Sequence, residues 1–149
     1  LGLEWNGGLV SLMTFFPSRY KSKLHPCEWE LVRFANRLNY HIPGAASRLL
    51  KAFERRFDSP PSIVSYAYRR WSQGGVYRAL GFEFIHNSDP TYWYFKSDTR
   101  LHHRSLFQKK FLKSKLPEFD PGLSESENMR RNGWHRIYDG GSMVVVKNA

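Results

Sequence analysis

Residues 62–82 read SIVSYAYRRWSQGGVYRALGF, and the fold turns on how this stretch is read. Ile63 to Tyr68 carries β-branched, small and aromatic side chains without charge, the composition of a buried strand. Arg69, Arg70 and Trp71 follow as a basic, aromatic cluster. Gly74-Gly75 then leads into a short helix over Gly75–Leu80, which Gly81 ends as a left-handed cap. The double glycine permits close backbone approach. The Arg-Arg-Trp cluster sits just after the buried strand, at the sheet end where an open α/β fold usually offers its crevice.

Upstream, AASRLLKAFERRF places Ala45, Ala46, Leu49, Leu50, Phe53 and Phe57 at helical spacing, with Ser47, Arg48, Lys51, Glu54 and Arg55 on the other side. Pro43 suits the first turn of that helix, and DSPPS stops it. EWELVRFANRL alternates like a strand, with a helix as the alternative for its second half. Leu1–Asn6 and Leu9–Phe16 flank an Asn-Gly pair whose two central residues can take positive φ, so the chain opens with a hairpin. PSRYKSKLHP follows as a basic, Pro-bounded loop.

Downstream, FEFIH and YWYF read as strands joined by the turn NSDP. HHRSLFQKKFLKSKL presents Leu106, Phe107, Phe111, Leu112 and Leu116 as an apolar stripe and predicts a basic amphipathic helix. Ser124 with Glu127 three residues on is a capping box, and its helix should end at Asn132-Gly133. WHRIYDGGSMVVV predicts a second hairpin around Asp139-Gly140-Gly141. No internal repeat is present.

The chain has 149 residues, the size of about one domain, and 16% of them are aromatic, which excludes a disordered profile. Its 23 Lys and Arg against 13 Asp and Glu give a formal charge of +10. That surplus favours a polyanionic partner, with nucleic acid first. An anionic membrane surface is the rival, but no run of eighteen apolar residues exists and the cations are spread through both halves. The single cysteine, Cys27, excludes a disulfide framework and a thiolate-rich zinc site, as expected of a cytosolic chain. The chain opens on Leu1 without a methionine, as after processing or in a piece of a longer protein.

The Pro-Gly loop before the helix offers the N–H groups of Gly44, Ala45, Ala46 and Ser47 at the positive end of a helix dipole, where an anion could sit. Gly before a helix is also ordinary chain geometry. His86, His102 and His103 are isolated imidazoles without grouped carboxylates, so no metal site is expected. There is no GIY-YIG pair, no HNH motif and no strand-borne Asp followed by Glu-x-Lys, which excludes a nuclease centre of those types within this segment.

A meandering sheet, a strand, a Gly-containing turn into an amphipathic helix, a further buried strand and a short helix ending YRALGF together resemble the GNAT superfamily of acyl-CoA-dependent N-acyltransferases. Its phosphate loop has Gln or Arg, two residues, Gly, one residue, then Gly or Ala. His41, Gly44 and Ala46 stand at those positions, so the spacing holds and the first residue departs. The resemblance implies acetyl-CoA or another acyl-CoA as cofactor. It also implies that Tyr77 protonates the departing thiolate, a role suited to a phenol; Tyr77 could equally pack its ring on the sheet.

Closer is the likeness of LVSLMTF, ELVRFANRL, GAASRLLKAF, SIVSYA, RRWSQGGVYRALGF, YWYF, FQKKFLKSKL and ENMRRNGWHRIYDGG to the C-terminal region of phage homing-endonuclease-like proteins. It spans almost the whole chain. The middle resembles, more distantly, Mom-type phage proteins that modify adenine in DNA. Those relatives commonly read SYAD, where Tyr68 stands here; Glu28 and Glu30 are substitute bases, or solvated strand carboxylates. The resemblance implies an α/β (α+β) fold with a mixed, mostly antiparallel sheet flanked by helices. Residues 1–97 would form a core lacking the family's usual N-terminal strand and helices. Residues 98–149 would add the basic helix, the C-terminal helix and the hairpin, packed on the same domain.

The function expected is engagement of DNA with acyl transfer to a base amine, in host cytoplasm, with a nuclease domain of the parent chain upstream. Arg69, Arg70 and Trp71, the loop residues Arg19, Lys21 and Lys23, and Lys109, Lys110 and Lys113 would meet phosphates and bases. The alternatives are a DNA-binding module with an eroded catalytic set, and an acetyltransferase for a protein or small amine.

Overall fold

A computed structural model describes residues 1–20, 22–98 and 100–148. The chain forms two compact units: one from residues 1–88 together with 142–149, the other from 89–141. The boundary therefore falls ten residues or so before the expected one, and the last strand returns to the first unit.

The first unit is built on a six-stranded sheet. Strands β1 (Gly2–Trp5) and β2 (Gly8–Pro17) form the expected hairpin, with Asn6 and Gly7 both at positive φ in its turn. Then come β3 (Trp29–Asn36), helix α1 (Ala45–Glu54), β4 (Ile63–Tyr68), helix α2 (Gly75–Ala79) and β5 (Glu83–Asn87). The sheet order is β1-β2-β3-β4-β9-β5, where β9 is Ser142–Lys147. All neighbours are antiparallel except β3 and β4. Parallel pairing demands a crossover, and α1 supplies it.

Helix α1 buries Ala45, Leu49, Leu50 and Phe53, four of the six positions in its apolar stripe, against Met13, Leu31, Ile63, Phe82 and Val145. Phe53 stacks on Phe15 with ring centroids 3.7 Å apart and meets Trp29 and Phe57 edge to face, geometries that add to area burial. On the opposite face Val64, Val144 and Val146 are buried beneath Tyr20, Cys27 and Ile85. The strands β4 and β9 thus carry apolar side chains on both faces, which explains the uncharged run at residues 63–68.

The second unit holds a three-stranded sheet of β7 (His102–His103), β6 (Tyr92–Phe95) and β8 (His135–Tyr138). Its core joins Tyr94, Phe107, Leu112, Leu116 and Met129. Helix α4 (Glu125–Arg131) has the predicted capping box at Ser124 and Glu127 and ends at Asn132-Gly133.

Two expectations are corrected. The stretch 135–147 is no hairpin: β8 pairs with β6, whereas β9 inserts between β4 and β5. Asp139 explains the divergence, since its carboxylate accepts from the N–H groups of Thr91 and Gly141, and its own N–H donates to the Thr91 carbonyl. The turn residues tie the strand end to residue 91 instead of folding it back. The basic helix is likewise interrupted. Arg104–Phe107 is a 3-10 turn, α3 is only Lys109–Leu112, and Gln108 between them is extended with ψ 140. The break leaves Phe107, Leu112 and Leu116 buried while Leu106 and Phe111 stay exposed.

Candidate functional site

Strands β3 and β4 pair through only three residues, Trp29 with Ile63, Glu30 with Val64 and Leu31 with Ser65. Beyond them β3 continues with β2 to Asn36, and β4 continues with β9 to Tyr68. Two features enforce the parting. The register of β2 on β3 jumps at Thr14/Phe15, which leaves Val32 as a bulged, exposed residue at the point of separation. The buried Ser65 hydroxyl donates to the Leu31 carbonyl at 2.7 Å and closes the last shared rung.

Strand β3 ends at Asn36, and the chain then leads into α1, where Ile42 and Arg48 share a cavity with Leu3, Trp5 and Val10 of the opening hairpin. Gly44 has φ 74 and caps α1 without a side-chain hydrogen bond, and a Cβ there would meet no atom within 4 Å. The N–H of Ala45 is turned inward to the Ile42 carbonyl, so Ala46 and Ser47 supply the helix-start donors that face no backbone acceptor. His41 and Ser47 are exposed and Ala45 is buried. Ala45 thus serves the core, whereas Gly44 and Ser47 are exposed and Ala46 is half-buried.

Arg69, Arg70 and Trp71 form the turn that leaves β4, with the N–H groups of Trp71 and Ser72 donating to the Tyr68 carbonyl. Trp71 is 77% exposed, with the Arg70 guanidinium 4.8 Å from its ring centroid. Gly74, at φ 75, lets the chain pass Met143, whose Cε would lie 3.3 Å from an added Cβ. Tyr77 on α2 sets its ring edge-on to Phe82 at 5.7 Å against the α1-side core.

Glu30 and Leu31 alternate along β3, and Leu31 packs into the α1-side core, so Glu30 belongs to the opposite face. Tyr66 shares that face. Burial, followed by the charge of Glu30 and then Tyr20 and Cys27, raises the Tyr66 phenol above its ordinary value. Tyr68 is half-buried on the same face. Sequence reading passed over Tyr66; its place two residues from Tyr68 on one strand was the available signal. Burial likewise raises the Cys27 thiol, which suits a packing role.

Between α1 and α2 lies a cavity of about 330 Å³ lined by Ser47, Lys51, Glu54, Ala79 and Lys147 among others. Lys147 Nζ lies 3.0 Å from Glu54 Oε1, an ion pair without an aligned hydrogen bond.

The remaining cations are dispersed. Arg19 and Lys23 are exposed on a loop rooted at the other end of β4, where the Glu28 and Trp29 N–H groups donate to the Ser62 carbonyl. Lys21 lies outside the described residues. Lys109, Lys110 and Lys113 are exposed in the second unit. Among the described residues no three His, Cys, Asp or Glu side chains group as a metal site, and no helix is long and apolar enough to cross a membrane. No protein-family model and no curated protein sequence matches the chain.

Proposed function

We propose that the first unit is a GNAT-like N-acyltransferase fold of phage type, which engages DNA and transfers an acyl group to an exocyclic base amine. The observation that carries this reading is the parting of the one parallel strand pair, whose crossover is helix α1. Ligands of α/β sheets bind outside the carboxyl ends of strands at such a place.

Gly44, Ala46 and Ser47 would take the cofactor's phosphates, because small residues and unpaired N–H groups permit close approach, and Lys51 stands in the neighbouring cavity. Acyl-CoA supplies the activated thioester carbonyl. Glu30 stands in the paired rungs of β3 and β4 on the face away from α1, so the proton that the base amine loses as its nitrogen bonds to the carbonyl carbon would pass to water. Tyr77, on the α1 side, would give its proton to the sulfur as the carbon–sulfur bond breaks. Arg69 and Arg70 would hold phosphates, and Trp71 would stack on a base that has left the duplex.

Saturating acetyl-CoA is expected to raise the melting temperature by roughly 5–10 degrees, the consequence of about 2–3 kcal/mol of linkage at a hundredfold excess over Kd. An unchanged transition removes the cofactor. Tyr77→Phe should slow transfer to a single-stranded oligonucleotide by about 10²-fold. Binding to DNA should weaken steeply with salt, and Arg69→Ala with Arg70→Ala should flatten that slope.

Tyr68, in the place of the acid, favours a second reading, a DNA-contacting module without transfer. Salt-dependent DNA binding with no acetyl-CoA effect on the transition selects it.

A further inference from the structure

The second unit holds a polar cavity of about 430 Å³ lined by Tyr92, His103, Arg104, Ser105, Gln108 and Glu125. Its volume lies in the range of small-molecule sites. The hydroxyls of Tyr92 and Tyr94 both donate to Glu125 Oε1, each at 3.0 Å. Two donors fill the lone pairs of that oxygen and fix the carboxylate plane, while among the described residues nothing donates to Oε2. Tyr94 is fully buried, so this clamp is anchored in the core.

Two arginines flank the ring of Tyr92, one of the two donors to this acceptor. The guanidinium carbons of Arg104 and Arg136 lie 5.3 and 5.2 Å from the centroid of the Tyr92 ring, and among the described residues neither arginine forms an ion pair with Glu125. His103 Nδ1 is engaged by Ser105 at 2.8 Å, which leaves Nε2 as its open nitrogen. A carboxylate oxygen awaiting a donor and an exposed guanidinium on one cavity wall suit a ligand that has an N–H edge at one end and an anion at the other.

We propose that this cavity binds a nucleotide whose base carries an exocyclic amine, the amine donating to Glu125 Oε2 and the phosphate pairing with Arg104. Carboxylates accept from such amines in base recognition, and arginine takes phosphate oxygens. Thymine and uracil lack the amine and are disfavoured. The inference goes beyond the acyl-transfer reading and stands on the second unit alone, so loss of acetyl-CoA binding or of the Arg69 and Arg70 effect leaves it untouched.

The test is titration calorimetry of the full chain with CMP, AMP, GMP and UMP and with the corresponding nucleosides. At least one amine-bearing nucleotide should bind about tenfold more tightly than UMP, the discrimination of one well-placed base contact. Glu125→Gln should erase that preference. Arg104→Ala alters an exposed side chain and so leaves the fold intact; it should weaken nucleotide binding about tenfold and nucleoside binding not at all. Displacement of the bound nucleotide by a single-stranded oligonucleotide supports a reader of strands, and displacement by free nucleotides alone supports a mononucleotide site. Equal binding of UMP, indifference to Arg104→Ala, or binding of a zwitterionic amino acid in place of any nucleotide overturns the proposal.

Discussion

Asn128 and Tyr94 are both buried in the second unit, and each carries a polar group into it. Asn128 is completely buried, yet its amide nitrogen donates to the carbonyls of Asp120, Leu123 and Ser124, and its oxygen accepts from the Asp120 N–H at 2.8 Å. It acts as an internal scaffold for the loop that enters α4. Asn128→Ala would leave those groups unpaired in the interior and should cost about 3 kcal/mol, measured by urea unfolding. Tyr94 behaves differently because it is ionisable. Burial raises its phenol most, followed by the hydrogen bond to Glu125 and that residue's charge, against which Arg136 acts in the lowering direction. A group raised in the folded state contributes fully below its unfolded pKa, and the contribution fades as pH climbs through the folded value. Stability should therefore hold at neutral pH and fall in alkali. In a tyrosinate absorbance titration of the eight tyrosines, Tyr94→Phe should remove the last step; an unchanged late step would place it elsewhere.

Helix α4 shows how an element's ends govern its pH response. The Glu127 side chain accepts from the Ser124 hydroxyl and N–H, and these hydrogen bonds hold its carboxyl below the usual range. The sign is opposite to that of Tyr94. The capping contribution is complete at neutral pH and is lost as pH falls through the lowered value. Ser124→Ala should lower the melting temperature at neutral pH and by less in strong acid, where the Glu127 half of the box is lost while the Ser124 oxygen still accepts from the Glu127 N–H. An equal loss at both pH values would show that the carboxylate plays no part. Helix α1 has no such cap. It is held by its apolar stripe.

The whole molecule is organised by one long-range return. Between β5 and β9 the chain makes the entire second unit, and only then does β9 insert between β4 and β5. A chain ending at Gly141 would leave both strands with open edges and would strip the cover from Val64 and Ile63. Such a truncation should abolish cooperative unfolding of the first unit, seen as a lost near-ultraviolet signal and exposed-surface dye binding. Retention of the native transition would mean that β9 is dispensable.

Sequence alone determined what local physics determines: the hairpin at Asn6-Gly7, the stripe of α1, the buried strand at residues 63–68, the Gly81 stop and the capping box at Ser124. Each rests on side chains within a few positions of one another. It also marked Arg69, Arg70 and Trp71 as the turn that directly follows β4. Tertiary structure decided the rest. Asp139-Gly140-Gly141 carries a hairpin signal, but the Asp139 carboxylate found Thr91, and six consecutive residues of β9 found partners more than fifty positions away. The Tyr92–Tyr94–Glu125 clamp was invisible for the same reason: a pair of tyrosines and a glutamate about thirty positions on become neighbours only once the core they enclose has closed.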